Sequence, residues 1–316
     1  MKKSIRQCTA LVLPKGFDFF DSGVNEKCIE LPFKYLDNPS NIVESLGFIV
    51  HLDGNCVFAT QNADCISIKW EKKVLSKKIV DNEFDKIVAQ RPSTAFLSRN
   101  EKKKIKDDLE QALMKNALSQ SEIINLYFTN INGLGLLLID MANTKKVNYV
   151  LRFLQQKGIP PFSNLRSIKC LKSTNDLLLD LFKDEYSSGF ELDNSIQYAD
   201  NDSGEMITAR NTDLGDENLI QLCQKNGYIS KIGLYHQDTG THFVLDEHFC
   251  LKNIQVDWDK FDDDSADTFE LGKKEQEFQI KIIRQIFVDL IAAADSLLPD
   301  LFESGNEIVV ELSVNE

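Results

Sequence analysis

The stretch KWEKKVLSKKIVDNEFDKIVAQRPSTAFLSRNEKKKIKDDLEQALMKNAL, residues 69–118, organises the fold that the sequence predicts. Apolar residues recur at spacings of three to five over residues 75–88, which is the pattern of an amphipathic helix. Pro92 interrupts this pattern. Ser98, followed three residues later by Glu101, is a capping-box pattern and predicts the start of a second helix. Lysines lie between the apolar positions, so we expect two consecutive helices with basic outer faces.

This stretch is basic within an acidic protein. Residues 69–106 contain twelve Lys and Arg residues and five Asp and Glu residues, an excess of seven positive charges. The whole chain of 316 residues has a net charge of −13, so the remainder carries 20 excess negative charges. A clustered basic face attracts a polyanion whatever the net charge. The alternative is a pair of helices with solvated lysines, which is the commoner meaning of a lysine run taken alone.

The composition predicts a folded protein with one large domain or two to three lobes. Apolar residues make up 42% of the chain and include twenty Phe, while seven Pro and fifteen Gly are too few for a disordered or fibrous protein. Seven scattered cysteines without a CxxC pair predict buried free thiols in a reducing cytosol. The sequence shows no signal-peptide core and no apolar run of about 18 residues. We therefore expect a cytoplasmic protein without a membrane segment.

Apolar periodicity along the chain predicts an α+β fold with antiparallel sheets and long amphipathic helices. Residues 47–52 and 55–60 predict a hairpin around Asp53-Gly54. Residues 134–139 are apolar on both faces and predict a central strand. The apolar stripe of a terminal helix suits either a core or a partner interface. Further strands are predicted at residues 9–13, 65–70, 123–128, 206–209, 228–235 and 241–245, and further helices at residues 144–156, 175–183, 216–225 and 273–298.

These elements predict four consecutive lobes with approximate boundaries. Residues 1–74 form an N-terminal antiparallel sheet region, and residues 75–118 form the basic helical segment. Residues 119–185 form a central strand and helix region. Residues 186–316 form a C-terminal α+β region with the terminal helix.

Catalytic motifs in the sequence do not support an enzyme. Residues 238–241 spell the D-T-G-T of aspartic proteases, but that chemistry needs two facing carboxylates and the chain has one copy. His236 and Gln237 before it are polar, where that fold needs an apolar strand. The four histidines fit no zinc-protease or zinc-finger spacing, although Asp246 and Glu247 nearby leave a metal site as an alternative. Neither a phosphate-binding glycine motif nor a nucleophile elbow occurs. We expect a non-enzymatic protein without cofactor or metal.

Short segments spread along residues 47–290 carry a resemblance to a known family. They are Glu71-Lys72-Lys73-Val74-Leu75 with Val80, residues 102–107, Gly135-Leu136 with Asp140, Ala142, Lys145-Lys146 and Leu151, Ser188-Gly189-Phe190, Ala209-Arg210 with Asp213-Leu214, and Lys231-Ile232 with Leu234 and Phe243-Val244-Leu245. In their order and spacing these segments resemble the recombination-associated RdgC family. No single motif is diagnostic of the family.

This resemblance implies a ring-shaped homodimer that binds double-stranded DNA in a positively charged hole, without sequence preference. It also implies a nucleoid-associated protein that restrains RecA-dependent recombination, with or without direct contact to RecA. The alternative is a protein-interaction module of the same fold with little DNA affinity. The residues expected to contact DNA are Lys72, Lys73, Lys77, Lys78, Arg99, Lys102, Lys103, Lys104, Lys106, Lys115 and Arg210.

The chain departs from the family pattern in two places. The family tends to have Leu-Pro-Arg-Ala-Phe where residues 113–118 read LMKNAL, so the aromatic residue is missing. Its lysine-rich loop is reduced here to Arg210-Asn211-Thr212. Lys115 and Arg210 supply cations at these two places. We expect phosphate contacts to persist and apolar insertion between base pairs to be weaker.

Overall fold

The computed structural model describes residues 4–19, 22–51, 54–90, 97–131, 133–160, 165–168, 174–182, 189–210, 227–258 and 268–293. The described residues form twelve strands and six helices. The strands are β1 (Gln7–Val12), β2 (Glu44–Phe48), β3 (Val57–Ala59), β4 (Asp64–Lys73), β5 (Ser119–Ile131), β6 (Leu134–Ile139), β7 (Arg166–Ser167), β8 (Phe190–Asp200), β9 (Met206–Arg210), β10 (Gly227–His236), β11 (Thr241–Asp246) and β12 (Cys250–Val256). The helices are α1 (Val24–Ile29), α2 (Lys77–Ala89), α3 (Arg99–Met114), α4 (Thr144–Gln156), α5 (Thr174–Phe182) and α6 (Thr268–Ala293).

The chain divides into two compact units. Unit 1 comprises Met1–Val24, Phe58–Cys65 and Leu126–Glu316, and unit 2 comprises Asn25–Val57 and Ile66–Asn125. Both units are discontinuous in sequence, because the chain passes from one unit to the other within α1, β3, β4 and β5. The four consecutive lobes expected from the sequence stay a prediction, and the basic stretch lies wholly in unit 2.

Unit 1 is built on a large antiparallel sheet. Its strand order is β6-β1-β12-β11-β10-β8-β9, and residues Leu126 to Ile131 of β5 pair with β6. The residues of β6 from Leu136 to Ile139 are at most 1% exposed, so the predicted central strand is confirmed. Helix α6 contributes Ile283, Phe287 and Leu290 to the core, which confirms the core interpretation of its apolar stripe. The fold is therefore α+β, as predicted.

Three strands of unit 1, β7, β8 and β12, have no counterpart in the prediction. β7 is only two residues long. β8 carries several polar side chains, and its pairing with β10 shifts register twice. β12 follows Phe249 and contains Asn253, both with positive φ, and its pairing with β11 also shifts register. Bulges of this kind interrupt the two-residue period from which strands are read. The irregular register of β8 and β12 makes both strands difficult to recognise in the sequence.

Unit 2 contains a smaller sheet in the order β2-β4-β5. The predicted hairpin is wrong in its pairing. The turn closes, since the His51 N–H donates to the Asn55 carbonyl over 2.7 Å, but β2 pairs antiparallel with β4, where Phe48 lies opposite Ile68. The other edge of β2 is occupied, because Phe48 exchanges backbone hydrogen bonds with Leu31 and Phe33.

Gly47 permits this close approach of two backbones. A Cβ atom at residue 47 would lie 2.5 Å from Phe33 Cα, so a larger residue would push the two segments apart. The segment before β2, which contains Pro32 and Pro39, is thereby tied to the sheet edge. The Leu36 N–H and the Ser40 carbonyl of this segment form hydrogen bonds with side chains on one face of β4.

The remaining sequence predictions have mixed outcomes. Cys8, Cys28, Cys56, Cys65 and Cys250 are buried free thiols, as predicted, while Cys170 and Cys223 lie outside the described residues. The helix predicted at residues 216–225 also lies outside them. Among the six described helices, none combines the length and the apolar character that crossing a bilayer requires.

Candidate nucleic-acid interface

The strand β4 carries two neighbouring lysines on its opposite faces. Side chains alternate between the two faces of a strand, so Lys72 and Lys73 point to opposite sides. Lys72 is exposed, whereas Lys73 is only 2% exposed. Only Lys72 is therefore available to a ligand in solution.

Lys73 is a structural residue, which corrects its predicted role in DNA contact. Its Nζ atom donates to the carbonyl oxygens of Ser40 (3.1 Å) and Lys115 (2.5 Å). The Ser40 N–H also donates to the Lys115 carbonyl. A buried ammonium needs such partners, because an unpaired one would lose its hydration without compensation. Lys73 thus joins the segment before β2 to the end of α3.

Glu71 supports the same junction from the same face of β4. Its carboxylate accepts hydrogen bonds from the Ser119 hydroxyl and from the Leu36 N–H over 2.9 Å. The Ser119 hydrogen bond first and the Leu36 N–H second lower the pKa of this carboxyl below its usual value. The junction at which the helical pair α2–α3 begins and ends is therefore held by two buried charged side chains.

The first turn of α2 presents two exposed lysines, Lys77 and Lys78. The partial positive charge of a helix N-terminus disfavours cations there, by about 0.3–1 kcal/mol each at the surface. The N-cap residue Ser76 makes no side-chain capping bond, and the first turn contains no acid. This arrangement is unfavourable for the isolated helix and favourable for a bound anion.

The start of α3 is a capping box, as predicted. The Ser98 hydroxyl accepts from the Glu101 N–H over 3.3 Å, and the Glu101 carboxylate accepts from the Ser98 N–H over 2.8 Å. No residue of α3 is buried, although its whole length is described; Ile105 and Leu109 are half-buried. The helix therefore projects most of its surface into solvent.

The cations of α3 lie in its first half. Residues three or four apart are neighbours on a helix surface, so Arg99 and Lys103 lie together and Lys102 and Lys106 lie beside them. Lys104 lies beside Asp107 and Asp108, and Asp107 also lies beside Lys103. Arg99, Lys102, Lys103 and Lys104 are all exposed. The first half of α3 thus presents four exposed cations, and Asp107, Asp108 and Glu110 place acids in its second half.

Lys106 is engaged within the helical pair, which qualifies its predicted role. Its Nζ atom lies 2.5 Å from Asp81 Oδ1 and 4.8 Å from the centre of the Phe84 ring, both on α2. The Lys106 hydrogen bond lowers the pKa of the Asp81 carboxyl. Lys106 remains 40% exposed, but its charge is balanced by its partner.

Replacing Asp81 should release Lys106 for a phosphate. We expect Asp81→Asn to raise duplex-DNA affinity about threefold and to steepen the salt dependence by about 0.9 in log–log slope, the value of one added phosphate contact. Fluorescence anisotropy at several salt concentrations measures both quantities. Asp257→Asn, which removes one acid from unit 1, is the control. An unchanged slope in Asp81→Asn would show that Lys106 does not reach DNA.

A cluster of one lysine and two aromatic residues in unit 2 was not among the predicted site residues. Lys69 Nζ lies 4.1 Å from the centre of the Tyr35 ring and 4.8 Å from that of Phe33. Tyr35 is 73% exposed. The spacing of two between Phe33 and Tyr35 places both rings on one side of an extended segment, and this spacing is the signal that the sequence offered. An exposed ring beside a cation suits contact with a nucleotide.

The last two predicted residues lie in different units. Lys115 is exposed at the end of α3, close in sequence to Leu118, which is 80% exposed. Arg210 is exposed and ends the strand β9 in unit 1. Unit 1 also brings together three potential metal ligands, His236, Asp238 and Asp289, none of which belongs to the predicted DNA contacts.

The fold and the surface together define an α+β protein with an exposed basic helical pair on an antiparallel sheet. A model of one family, described as "Putative exonuclease, RdgC", matches residues 32–301, most of the chain. The chain therefore belongs to the RdgC family, and the resemblance inferred from the sequence is confirmed. No curated protein sequence matches the chain. Membership of this recombination-associated family fits a role related to DNA.

Proposed function

We propose that the protein binds double-stranded DNA without sequence preference, as a ring-shaped homodimer that restrains RecA-dependent recombination. The observation that carries this proposal is the group of four exposed cations in the first half of α3, together with the two lysines in the first turn of α2. Family membership supports it, because the family match at residues 32–301 includes the whole basic stretch. The exposed cations proposed to contact DNA are Lys72, Lys77, Lys78, Arg99, Lys102, Lys103, Lys104 and Lys115 in unit 2, and Arg210 in unit 1.

The chemistry of this surface suits phosphates better than bases. Seven of the eight exposed cations in unit 2 are lysines, and lysines act as mobile point charges. Reading base edges requires side chains held in a fixed hydrogen-bonding geometry, such as a bidentate arginine in the major groove. Phosphate contacts fix position and carry no sequence information. The expected binding is therefore electrostatic.

A closed ring would convert weak contacts into long residence, since escape requires an interface to open or a DNA end to pass. Duplex that is occupied in this way is withheld from RecA filaments. We propose that the protein acts by occupancy, without catalysis, in the nucleoid of the cytoplasm.

The experiment that tests the ring compares circular with linear duplex. After loading at low salt, a wash at high salt should leave protein on nicked circles and remove it from linear DNA of the same length. Cutting the circles should then release the protein. Equal loss from both forms would contradict a ring. Shortening of the linear DNA during incubation with Mg²⁺ or Mn²⁺ would contradict the non-enzymatic role.

A second candidate, a protein-interaction module, is favoured by one observation. Exposed apolar residues meet at the base of α2 and α3, where the Val74 N–H donates to the Leu118 carbonyl and the Lys73 N–H donates to the Val43 carbonyl. Val43, Val74 and Leu118 are 42%, 45% and 80% exposed. A protein that uses this cluster alone would bind no duplex at low salt, and this outcome separates the two candidates.

A further inference from the structure

A buried histidine and two aspartates meet in unit 1, at the turn between β10 and β11. His236 ends β10, Asp238 lies in the turn and Asp289 lies in α6. His236 Nε2 is 3.0 Å from Asp289 Oδ2, and one ligand atom from each of the three residues lies within 4.8 Å of the others. His236 is fully buried, the Asp289 side chain is 24% exposed and Asp238 is exposed. The group is anchored inside the protein and open to solvent on one side.

The Thr239 hydroxyl lies beside the other ring nitrogen of His236. His236 Nδ1 is 2.8 Å from Thr239 Oγ1. Thr239 Oγ1 is 3.1 Å from Thr241 Oγ1, and the Thr241 hydroxyl donates to the Thr239 carbonyl over 3.0 Å. Thr239 Oγ1 is thus placed to accept a hydrogen bond from Nδ1–H, which is the arrangement that leaves Nε2 free to bind an ion on the Asp289 side.

We propose that His236, Asp238 and Asp289 bind a divalent transition-metal ion such as Mn²⁺ or Zn²⁺. The 3.0 Å between His236 Nε2 and Asp289 Oδ2 suits either a shared proton or a metal ion bound by both atoms, and the nearby Asp238 carboxylate favours the ion. The same 3.0 Å is the separation of adjacent ligands around one ion when each bond is about 2.1 Å. One imidazole with two carboxylates suits Mn²⁺, Fe²⁺ or Zn²⁺ better than Ca²⁺ or Mg²⁺, which favour oxygen ligands.

The groups around the three ligands match the outer shell of a metal site. A metal-bound histidine normally donates its second N–H to a fixed acceptor, and the Thr239 hydroxyl is in that position. Gln285 Nε2 donates to Asp289 Oδ2 over 2.9 Å and orients this carboxylate. Ligands on opposite sides of an ion are about 4.2 Å apart, so the exposed Asp238 side chain needs at most a small inward turn. Positions facing solvent remain for water.

A bound ion would join α6 to the β10–β11 turn. The same part of α6 places Phe287 and Leu290 in the core of unit 1. Binding to the folded state alone would therefore raise thermal stability, by an amount that grows with the logarithm of the ion concentration above the dissociation constant. This site is independent of the basic residues of unit 2, so the proposed DNA binding can fail without affecting it.

The test uses the full chain, freed of metal by a chelator and titrated with MnCl₂ or ZnCl₂. We expect saturable binding of one ion per chain by calorimetry, a bound-ion signal in the Mn²⁺ electron paramagnetic resonance spectrum, and a higher thermal midpoint with either ion. Asp238→Asn and Asp289→Asn should each weaken binding by at least about tenfold. Both substitutions keep the side-chain volume, and Asp238 is exposed, so the first variant does not endanger the fold.

A second histidine and aspartate pair in unit 1 provides the control. His242 Nδ1 lies 3.0 Å from Asp193 Oδ2, the same separation, but neither residue belongs to the three-ligand group. Asp193→Asn should leave the affinity for Mn²⁺ unchanged. The proposal is overturned if the native chain binds neither ion saturably, which would mean that a proton bridges His236 and Asp289. It is also overturned if both carboxamide variants bind the ions as tightly as the native chain.

Discussion

Reversing two charges of α3, Lys102→Glu with Lys103→Glu, should lower the affinity for duplex DNA by at least about tenfold at low salt. The two lysines lie on the side of α3 that carries Arg99, so the change places two carboxylates within a row of cations. The log–log salt slope should also fall, by about 0.9 for each phosphate no longer neutralised. The loss should be the same for AT-rich and GC-rich duplexes, because the contacts are to the backbone.

The matched control carries the same charge change on another helix. Lys145→Glu with Lys157→Glu alters two exposed lysines at the two ends of α4, in unit 1. Its effect on affinity should be well below that of the α3 variant. Equal effects would mean that only net charge matters, and a loss confined to particular sequences would contradict backbone contact. Lys104→Glu alone should have a smaller effect than Lys103→Glu, because Lys104 lies beside both Asp107 and Asp108, whereas Lys103 lies beside Asp107 alone.

Lys73→Met should destabilise the protein by about 1–3 kcal/mol in free energy of unfolding. Methionine keeps the length and apolar packing of the lysine stem but cannot donate to the Ser40 and Lys115 carbonyls. The Lys115 carbonyl retains the Ser40 N–H, so the Ser40 carbonyl accounts for most of the loss. Urea unfolding followed by circular dichroism measures the change. Hydrogen exchange should locate the opening where β4, α3 and the segment before β2 meet.

Lys72→Met separates stability from DNA binding on the same strand. This side chain is exposed on the opposite face, so its loss should change the free energy of unfolding by less than about 0.5 kcal/mol. Lys72→Met should weaken duplex binding. Lys73→Met should not weaken it when binding is measured under conditions where that variant is folded. If the two variants exchanged these effects, the assignment of the two faces of β4 would be wrong.

The contrast between Lys72 and Lys73 shows how far sequence reasoning reaches. Helix period, proline and capping box were sufficient to predict α2 and α3, because these signals act within a few residues. The strand predicted at residues 65–70 ended before both lysines, whereas β4 continues to Lys73, so the prediction did not place them on opposite faces. The face that becomes buried depends on Ser40 and the end of α3, which are distant in sequence. The partner of Lys106 depends in the same way on how α2 packs against α3.

The sequence prediction missed the strands β8 and β12 and the pairing of β2 for a related reason. Their pairing is decided by bulges and by the contact between Gly47 and Phe33, and neither has a local signature. The metal-ligand group shares this property, since Asp289 lies 53 residues after His236. Contacts between distant segments set all of these features, whereas local periodicity sets the basic helices.

The central claim, sequence-independent binding to DNA phosphates, is tested most directly by a salt titration of the native protein on duplexes of unrelated sequence. The log of the association constant should fall linearly with the log of salt concentration, with a slope of about −0.9 for each phosphate neutralised. The slope should be the same for every sequence. No measurable duplex binding at low salt, or a slope near zero, would contradict the account.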